Sequence, residues 1–179
     1  MSDEAEFEEI GSERLLQSEV VDVDRHRYRF TADGKEVERD VVHHPGGVAI
    51  VAVDGDSVLL VRQPRPAIGE TDLLEIPAGR MDKPGEDPLQ AAQRELAEEV
   101  GHSAERWTKL ASYFPSSDVL DAEVHIFLAE QLGEQEADSG EDERIEVVRW
   151  PLVRLDELIA DNRDAKTLIG LLMFARRPR

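Results

Sequence analysis

The order of elements along this sequence predicts a layered α/β domain rather than a series of alternating βαβ units. Three features carry that expectation. Residues 46–65, GGVAIVAVDGDSVLLVRQPR, hold two β-branched apolar runs separated by DGDS, the pattern of a hairpin. Residues 87–101, DPLQAAQRELAEEVG, hold one well-punctuated helix. Strands then return at EVHIFLAEQL and IEVVRWPL before two closing amphipathic helices. The chain has 179 residues, 40% of them hydrophobic. A globule of that size buries roughly 70% of its unfolded surface, so a sizeable core is available.

The elements follow in order. Residues 1–12 form an acidic stretch that predicts a flexible leader. SEVVDVDRHRYRFTADGKEVERDVVHH, residues 18–44, alternates apolar and polar positions around an ADGK turn and predicts a short antiparallel meander. Pro45, Gly46 and Gly47 divide it from the hairpin. A further strand is expected at LLEIP, residues 73–77, followed by Gly79 and an irregular loop. In the helix, Asp87 suits the cap, Pro88 the first helical position and Gly101 a left-handed end. Leu89, Ala92, Leu96 and Val100 recur as its core-facing stripe. Strands are expected at LASYF (110–114) and EVHIFLAEQL (123–132), then a mobile acidic loop at 133–144. A strand at 145–152 and helices at 155–161 and 164–177 complete the chain, which has no internal repeats.

The formal net charge of −19 argues against nucleic acid or an anionic membrane as the main partner. It leaves room for an anionic small substrate if metal ions or local arginines reverse the field. Most of the acidic residues read as solvated surface. There are no cysteines, which excludes disulfides and thiolate–metal sites and points to a reducing compartment. The acidic N-terminus lacks the apolar run of a signal peptide, and no stretch approaches the roughly 18 apolar residues of a membrane span. A soluble, cytoplasmic protein is expected. His26, His43, His44, His102 and His125 show no metal-ligand spacing and read as structural or surface residues. Trp107 and Trp150 read as core or interface aromatics.

Glu95, Glu98 and Glu99 stand at i, i+3 and i+4 of the helix, within an arc of about 100°. Like charges at these spacings repel by roughly 0.2–0.5 kcal/mol per pair. A solvated face is one explanation. The other is a divalent cation, because carboxylates one turn apart converge on a hard metal ion without moving the backbone.

This arrangement resembles the Nudix box, G-x5-E-x7-R-E-U-x-E-E-x-G-U with U apolar. Gly79 matches the first glycine, Glu86 the isolated glutamate, and RELAEEVG the segment Arg94–Gly101. Two positions depart: six residues separate Gly79 from Glu86, and His102 replaces an apolar residue. The extra residue falls in a loop with Pro84 and Gly85, where an insertion costs little. The resemblance implies a Nudix α/β/α sandwich with a mixed sheet, preceded by a small antiparallel N-terminal meander. Its divisions would be a leader at 1–12, N-terminal strands forming a dimerisation subdomain at 13–44, and a Nudix hydrolase domain at 45–179. It implies hydrolysis of a nucleoside diphosphate linked to another group, with Mg²⁺ or Mn²⁺ as cofactor.

The same resemblance implies roles residue by residue. The Ala78 carbonyl, Glu95, Glu98 and Glu99 would be metal ligands, with Glu98 also able to deprotonate water. Arg94 would orient the carboxylates with Glu86 as its partner, while Gly79 and Gly101 support the motif. From residue 20 onward the chain is most similar to ADP-ribose pyrophosphatases, through LLVRQPR, LLEIPAGRMD, GEDPLQAAQREL and DAKTLIGLL. On that likeness Arg65, and less so Arg62, would contact the diphosphate or terminal ribose. Glu75 would sit near substrate or a second metal, and Arg39 would reach the other subunit of a homodimer. The loop YFPSSDVLDAEVHIF departs from the subfamily. Ser117 stands where a proline is usual, with Pro115 two positions early, and Ala122 stands where a catalytic glutamate is usual. Asp121 or Glu123 would then take that role through a shifted loop. The expected reaction is cleavage of ADP-ribose, or a close ADP-sugar, to AMP and a sugar 5-phosphate. The alternatives are hydrolysis of another nucleoside diphosphate derivative, or a non-catalytic module that binds ADP-ribose.

Overall fold

The computed structural model describes residues 6–135 and 145–177, which form two compact units. The first unit holds residues up to Pro45 together with Phe114–Ala122. Its strands β1 (Phe7–Gln17), β2 (Asp22–Phe30) and β3 (Glu36–His43) make an antiparallel sheet in the order β1-β2-β3. The expected meander is present, but it starts earlier than the sequence implied. Phe7–Ser12 belong to β1 instead of a leader, while residues 1–5 lie outside the described residues. The reason is cross-strand charge: Arg29 of β2 bonds Glu8 of β1 and Glu36 of β3, and Arg25 bonds Asp40. The acidity that reads as a solvated tail thus faces basic residues on the neighbouring strand. The 114–122 segment joins β3 through a parallel bridge between Val42 and Leu120.

The second unit holds Gly46–Tyr113 and the chain from Glu123 onward. Its strands are β4 (Gly47–Asp54), β5 (Ser57–Arg65), β6 (Glu70–Glu75), β7 (Ala78–Arg80), β8 (His102–Tyr113), β9 (Val124–Glu134) and β10 (Glu146–Pro151). They form one sheet in the order β10-β5-β4-β9-β8, with β6 on β5 and β7 on β4. β4 and β9 run parallel and the other pairs antiparallel, so the sheet is mixed. β8 is longer than LASYF because its edge residues are half exposed and a register shift between Lys109 and Ala111 breaks the period-two pattern. Of the acidic loop expected at 133–144, residues 136–144 lie outside the described residues.

Helix α1 (Pro88–Val100) covers one face of this sheet, while α2 (Leu155–Asp161) and α3 (Ala165–Ala175) cover the other. Alternation along β4 feeds both layers. Val48, Ile50 and Ala52 pack with Ala91, Ala92, Leu96 and Val100 of α1. Ala49 and Val51 pack with Leu158 and Leu171 on the opposite side. A strand buried on both faces needs an unbroken apolar run, which VAIVAV supplies. Gly170 lets α3 approach closely: a Cβ there would stand 2.9 Å from Ile76 Cδ1 and 3.1 Å from Val51 Cγ2. Trp107 and Trp150 pack against the two core layers as the sequence indicated. Among the described residues, no helix is long and apolar enough to cross a membrane.

Candidate active site

The site begins with how α1 is held. The Asp87 side chain accepts from Leu89 N and Gln90 N, and the Gln90 side chain accepts from Asp87 N, a reciprocal capping box. Pro88 occupies the first turn, and Gly101 ends the helix with φ +69°. These devices fix the rotation of the helix. With Leu96 and Val100 inward, Glu95 and Glu99 flank the buried stripe and are each only 9% exposed. Glu98 lies further toward solvent, its side chain 30% exposed.

β7 pairs with β4 and runs beside that acidic flank. A Cβ on Gly79 would stand 1.8 Å from Glu95 Cδ and 2.0 Å from its Oε1, so the carboxylate occupies the space that any other side chain would need. Ala78 N donates to Glu99 Oε2 at 2.8 Å. Arg94 organises the rest. Its Nε and Nη2 donate to Glu86 at 2.9 and 3.0 Å, its Nη1 to Glu95 at 2.5 Å and Glu98 at 2.8 Å, and Nη2 also to the Arg80 carbonyl. The hydrogen bonds to Glu86, then those to Glu98 and Glu95, push the guanidinium pKa above its ordinary value against desolvation. The same contact with Arg94 holds the Glu86 carboxyl below its ordinary value.

A cleft of about 390 Å³ opens here, lined by Gln63, Arg65, Ala78, Gly79, Lys83, Arg94 and the three glutamates among others. A second cluster stands at Glu75, which is 1% exposed. Arg65 grips it with two bonds of 3.0 and 2.6 Å, and Lys166 Nζ lies 3.2 Å away. Bonding to Glu75 raises the Arg65 pKa. Lys166 is placed by Asp164, the α3 cap, at 2.9 Å, and Thr167 Oγ1 accepts from Ile76 N. Lys166 and Gln63 were not singled out from the sequence; the signal was available in DAKTLIGLL, where the lysine is the second residue of a capped helix. Tyr113 is no base: burial, then the charge of Asp164, push its pKa up to about 12.

A family model described as the NUDIX domain matches residues 43–171. The chain belongs to the Nudix family. It is 36% identical over 167 residues to the ADP-ribose pyrophosphatase of Bacillus subtilis (strain 168), covering 90% of this chain and 89% of that one. It is 34% identical over 169 residues to the methanol dehydrogenase activator of Bacillus methanolicus, covering 92% and 87% respectively. A crystal structure of an ADP compounds hydrolase superposes with a TM-score of 0.84, covering 98% of this chain and 95% of that chain, at 24% identity. That likeness shows the shared fold.

Two further candidates belong to the second unit without lining the cleft. Arg62 is engaged by Asp72 at 2.9 Å and Glu146 at 3.5 Å and does not line it. Glu123 also does not line it; its Oε1 is 3.8 Å from His125 Nδ1. Arg39 and Asp121 belong to the first unit. Arg39 donates to the Glu38 carbonyl, while Asp121 accepts from His43 Nδ1 and His44 N. The carboxylate oxygens of Glu95, Glu98 and Glu99 that line the cleft fit a hard divalent cation.

Proposed function

We propose that this Nudix enzyme hydrolyses the diphosphate linkage of ADP-ribose, or a close ADP-sugar, to AMP and a sugar 5-phosphate, with Mg²⁺ or Mn²⁺. The observation that carries the reading is the packing of Glu95 into the space left by Gly79, beside Glu98, Glu99 and the Ala78 backbone. Acidic residues that only needed solvation would not require a glycine opposite them. Glu95, Glu98, Glu99 and the Ala78 carbonyl are assigned to the metal. The bound cation neutralises diphosphate charge and lowers the pKa of water.

The chain's own residues do the remainder. Arg94 holds Glu95 and Glu98 in register through its fork of donors, with Glu86 fixing the guanidinium from behind. Arg65, which lines the cleft, contacts the diphosphate or the terminal ribose, with Glu75 setting its position and Lys166 holding Glu75 from the other side. Glu98, the most exposed of the three helix carboxylates, takes the proton of the attacking water. Glu123 is retained as a second candidate base. Asp121, which belongs to the first unit and is engaged by His43 and His44, is a third candidate.

The enzyme is further proposed to be a cytoplasmic homodimer through its N-terminal strands, with Arg39 reaching the partner's site. The direct test is hydrolysis of a panel of nucleoside diphosphate derivatives with Mg²⁺, products identified by mass. AMP and ribose 5-phosphate from ADP-ribose are expected. Turnover confined to another derivative would replace the substrate, and ADP-ribose binding without turnover would favour a sensor. Glu99→Gln removes a ligand charge but little volume, so it should keep the fold and lower kcat by at least about 100-fold. A wild-type rate in that variant refutes the metal assignment.

A further inference from the structure

The N-terminal sheet brings together three side chains that the proposed reaction does not use. Asp24 and His26 alternate onto one face of β2, and β3 brings His43 onto the same face, opposite Asp22. His26 Nε2 and His43 Nε2 stand 3.5 Å apart, and Asp24 Oδ2 is 3.5 Å from His43 Nε2. Ligand atoms from the three residues all lie within 4.8 Å of one another. His26 and His43, which show no metal-ligand spacing in the sequence, are thus brought together.

The contacts on the far sides of the rings decide what this cluster requires. His43 Nδ1 lies 2.5 Å from Asp121 Oδ2, an acceptor, so Nδ1 carries a proton and the neutral ring keeps its lone pair on Nε2. His26 Nδ1 is buried, lacks a hydrogen bond and lies 3.1 Å from Glu9 Oε1. If His26 carries its proton on Nδ1, two Nε2 lone pairs face each other. If the proton is on Nε2, the Nδ1 lone pair faces a carboxylate instead. In either neutral form the His43 Nε2 lone pair also faces Asp24 Oδ2, so two repulsive contacts remain, and a cation held between Asp24 and the two Nε2 atoms relieves those at its ligands.

We propose that Asp24, His26 and His43 form a second metal site, for a divalent cation of the zinc class. For zinc–nitrogen bonds of 2.0–2.1 Å, the edge of a tetrahedron is about 3.3 Å, close to the two 3.5 Å separations found here. Imidazole nitrogen with one carboxylate suits zinc and its neighbours better than magnesium, which the all-oxygen Nudix cleft suits. Asp121 and Glu9 stand where outer carboxylates orient ligating histidines. Arg14 competes for Asp24, but its hydrogen bond to Oδ2 is the longer one, 3.3 Å. Arg39, opposite His26, turns its Nη1 to the Glu38 carbonyl. An open cleft of about 310 Å³ beside His43, lined also by Asp22, His44 and Asp121, gives an ion entry.

The test uses the full chain, stripped with chelator and carrying Glu95→Gln and Glu99→Gln to disable the Nudix cleft. Calorimetry with Zn²⁺ is expected to give one equivalent, and Co²⁺ the intense visible band of a tetrahedral site. Adding His26→Asn or His43→Asn should weaken Zn²⁺ binding by 100-fold or more, and Glu9→Gln by roughly 10–100-fold. Circular dichroism checks that each variant folds, and the Co²⁺ band of the chain with both histidines stands without them. No stoichiometric Zn²⁺ uptake, a weak octahedral band, or uptake unchanged by losing either histidine overturns the site. So does a shared proton as the only cation, seen as an imidazolium by nitrogen NMR in a chain that takes up no Zn²⁺.

Discussion

Gly79 shows how one missing atom can hold a site together. Its neighbour is the end of a flexible side chain, so a methyl group there would move the Glu95 carboxylate and leave the backbone largely in place. Gly79→Ala should cost about 1–3 kcal/mol of stability, as overpacking does. It should also lower kcat by about 100-fold, since a misplacement of 1 Å suffices for that. Denaturant unfolding and Mg²⁺-dependent turnover on the same sample check both, and an unchanged rate would show that Glu95 need not sit there. Glu86 gives a pH signature. Arg94 lowers its folded pKa below the ordinary 4.5, so its contribution to stability is fully present above that pH. The contribution disappears as pH falls through the lowered folded value. Glu86→Gln should therefore flatten the acid-side loss of stability in that window, read as urea midpoints at about pH 6 and about pH 3.

At the scale of elements, the site depends on the rotation of α1. Asp87→Ala removes the acceptor for two amides and should destabilise the chain by about 0.5–2 kcal/mol, measured by thermal or urea unfolding. An unchanged midpoint would mean that packing alone sets the helix start. This helix was legible in the sequence because its signals are local: a cap, a proline, a period and a glycine within fifteen residues. The β4–β5 hairpin was legible for the same reason. β1 was not, because Glu8 is paired with Arg29 and Glu9 lies beside His26, both on β2 and distant along the chain. Glu75 was singled out only through the resemblance, since the local pattern gives just an alternating strand position. Its burial depends on Arg65 and on Lys166, which a helix end supplies from 91 residues away. The carboxylate flank was legible as a motif, whereas the meeting of His26 and His43 needed the register of β2 with β3.

For the whole molecule, the imbalance between the two units is the informative feature. Among the described residues, every buried hydrophobic side chain except Ala122 belongs to the second unit. The first unit instead exposes Phe7, Leu15, Leu16, Val20 and Phe30. A small sheet with almost no core of its own is marginal in water, and apolar side chains left on its surface favour association. A second copy of the chain is the partner already present at equal concentration, and closed two-fold symmetry would cover like patches with like. Sedimentation velocity at micromolar concentration should give twice the 20.1 kDa chain mass. Phe7→Asp with Leu16→Asp should shift it to a single chain while leaving the second unit's core folded. If Arg39 serves the partner's site, the same double substitution should also raise KM. A single-chain mass for the unaltered protein would overturn the dimer, and the first unit would then have to be stable with its apolar side chains in water.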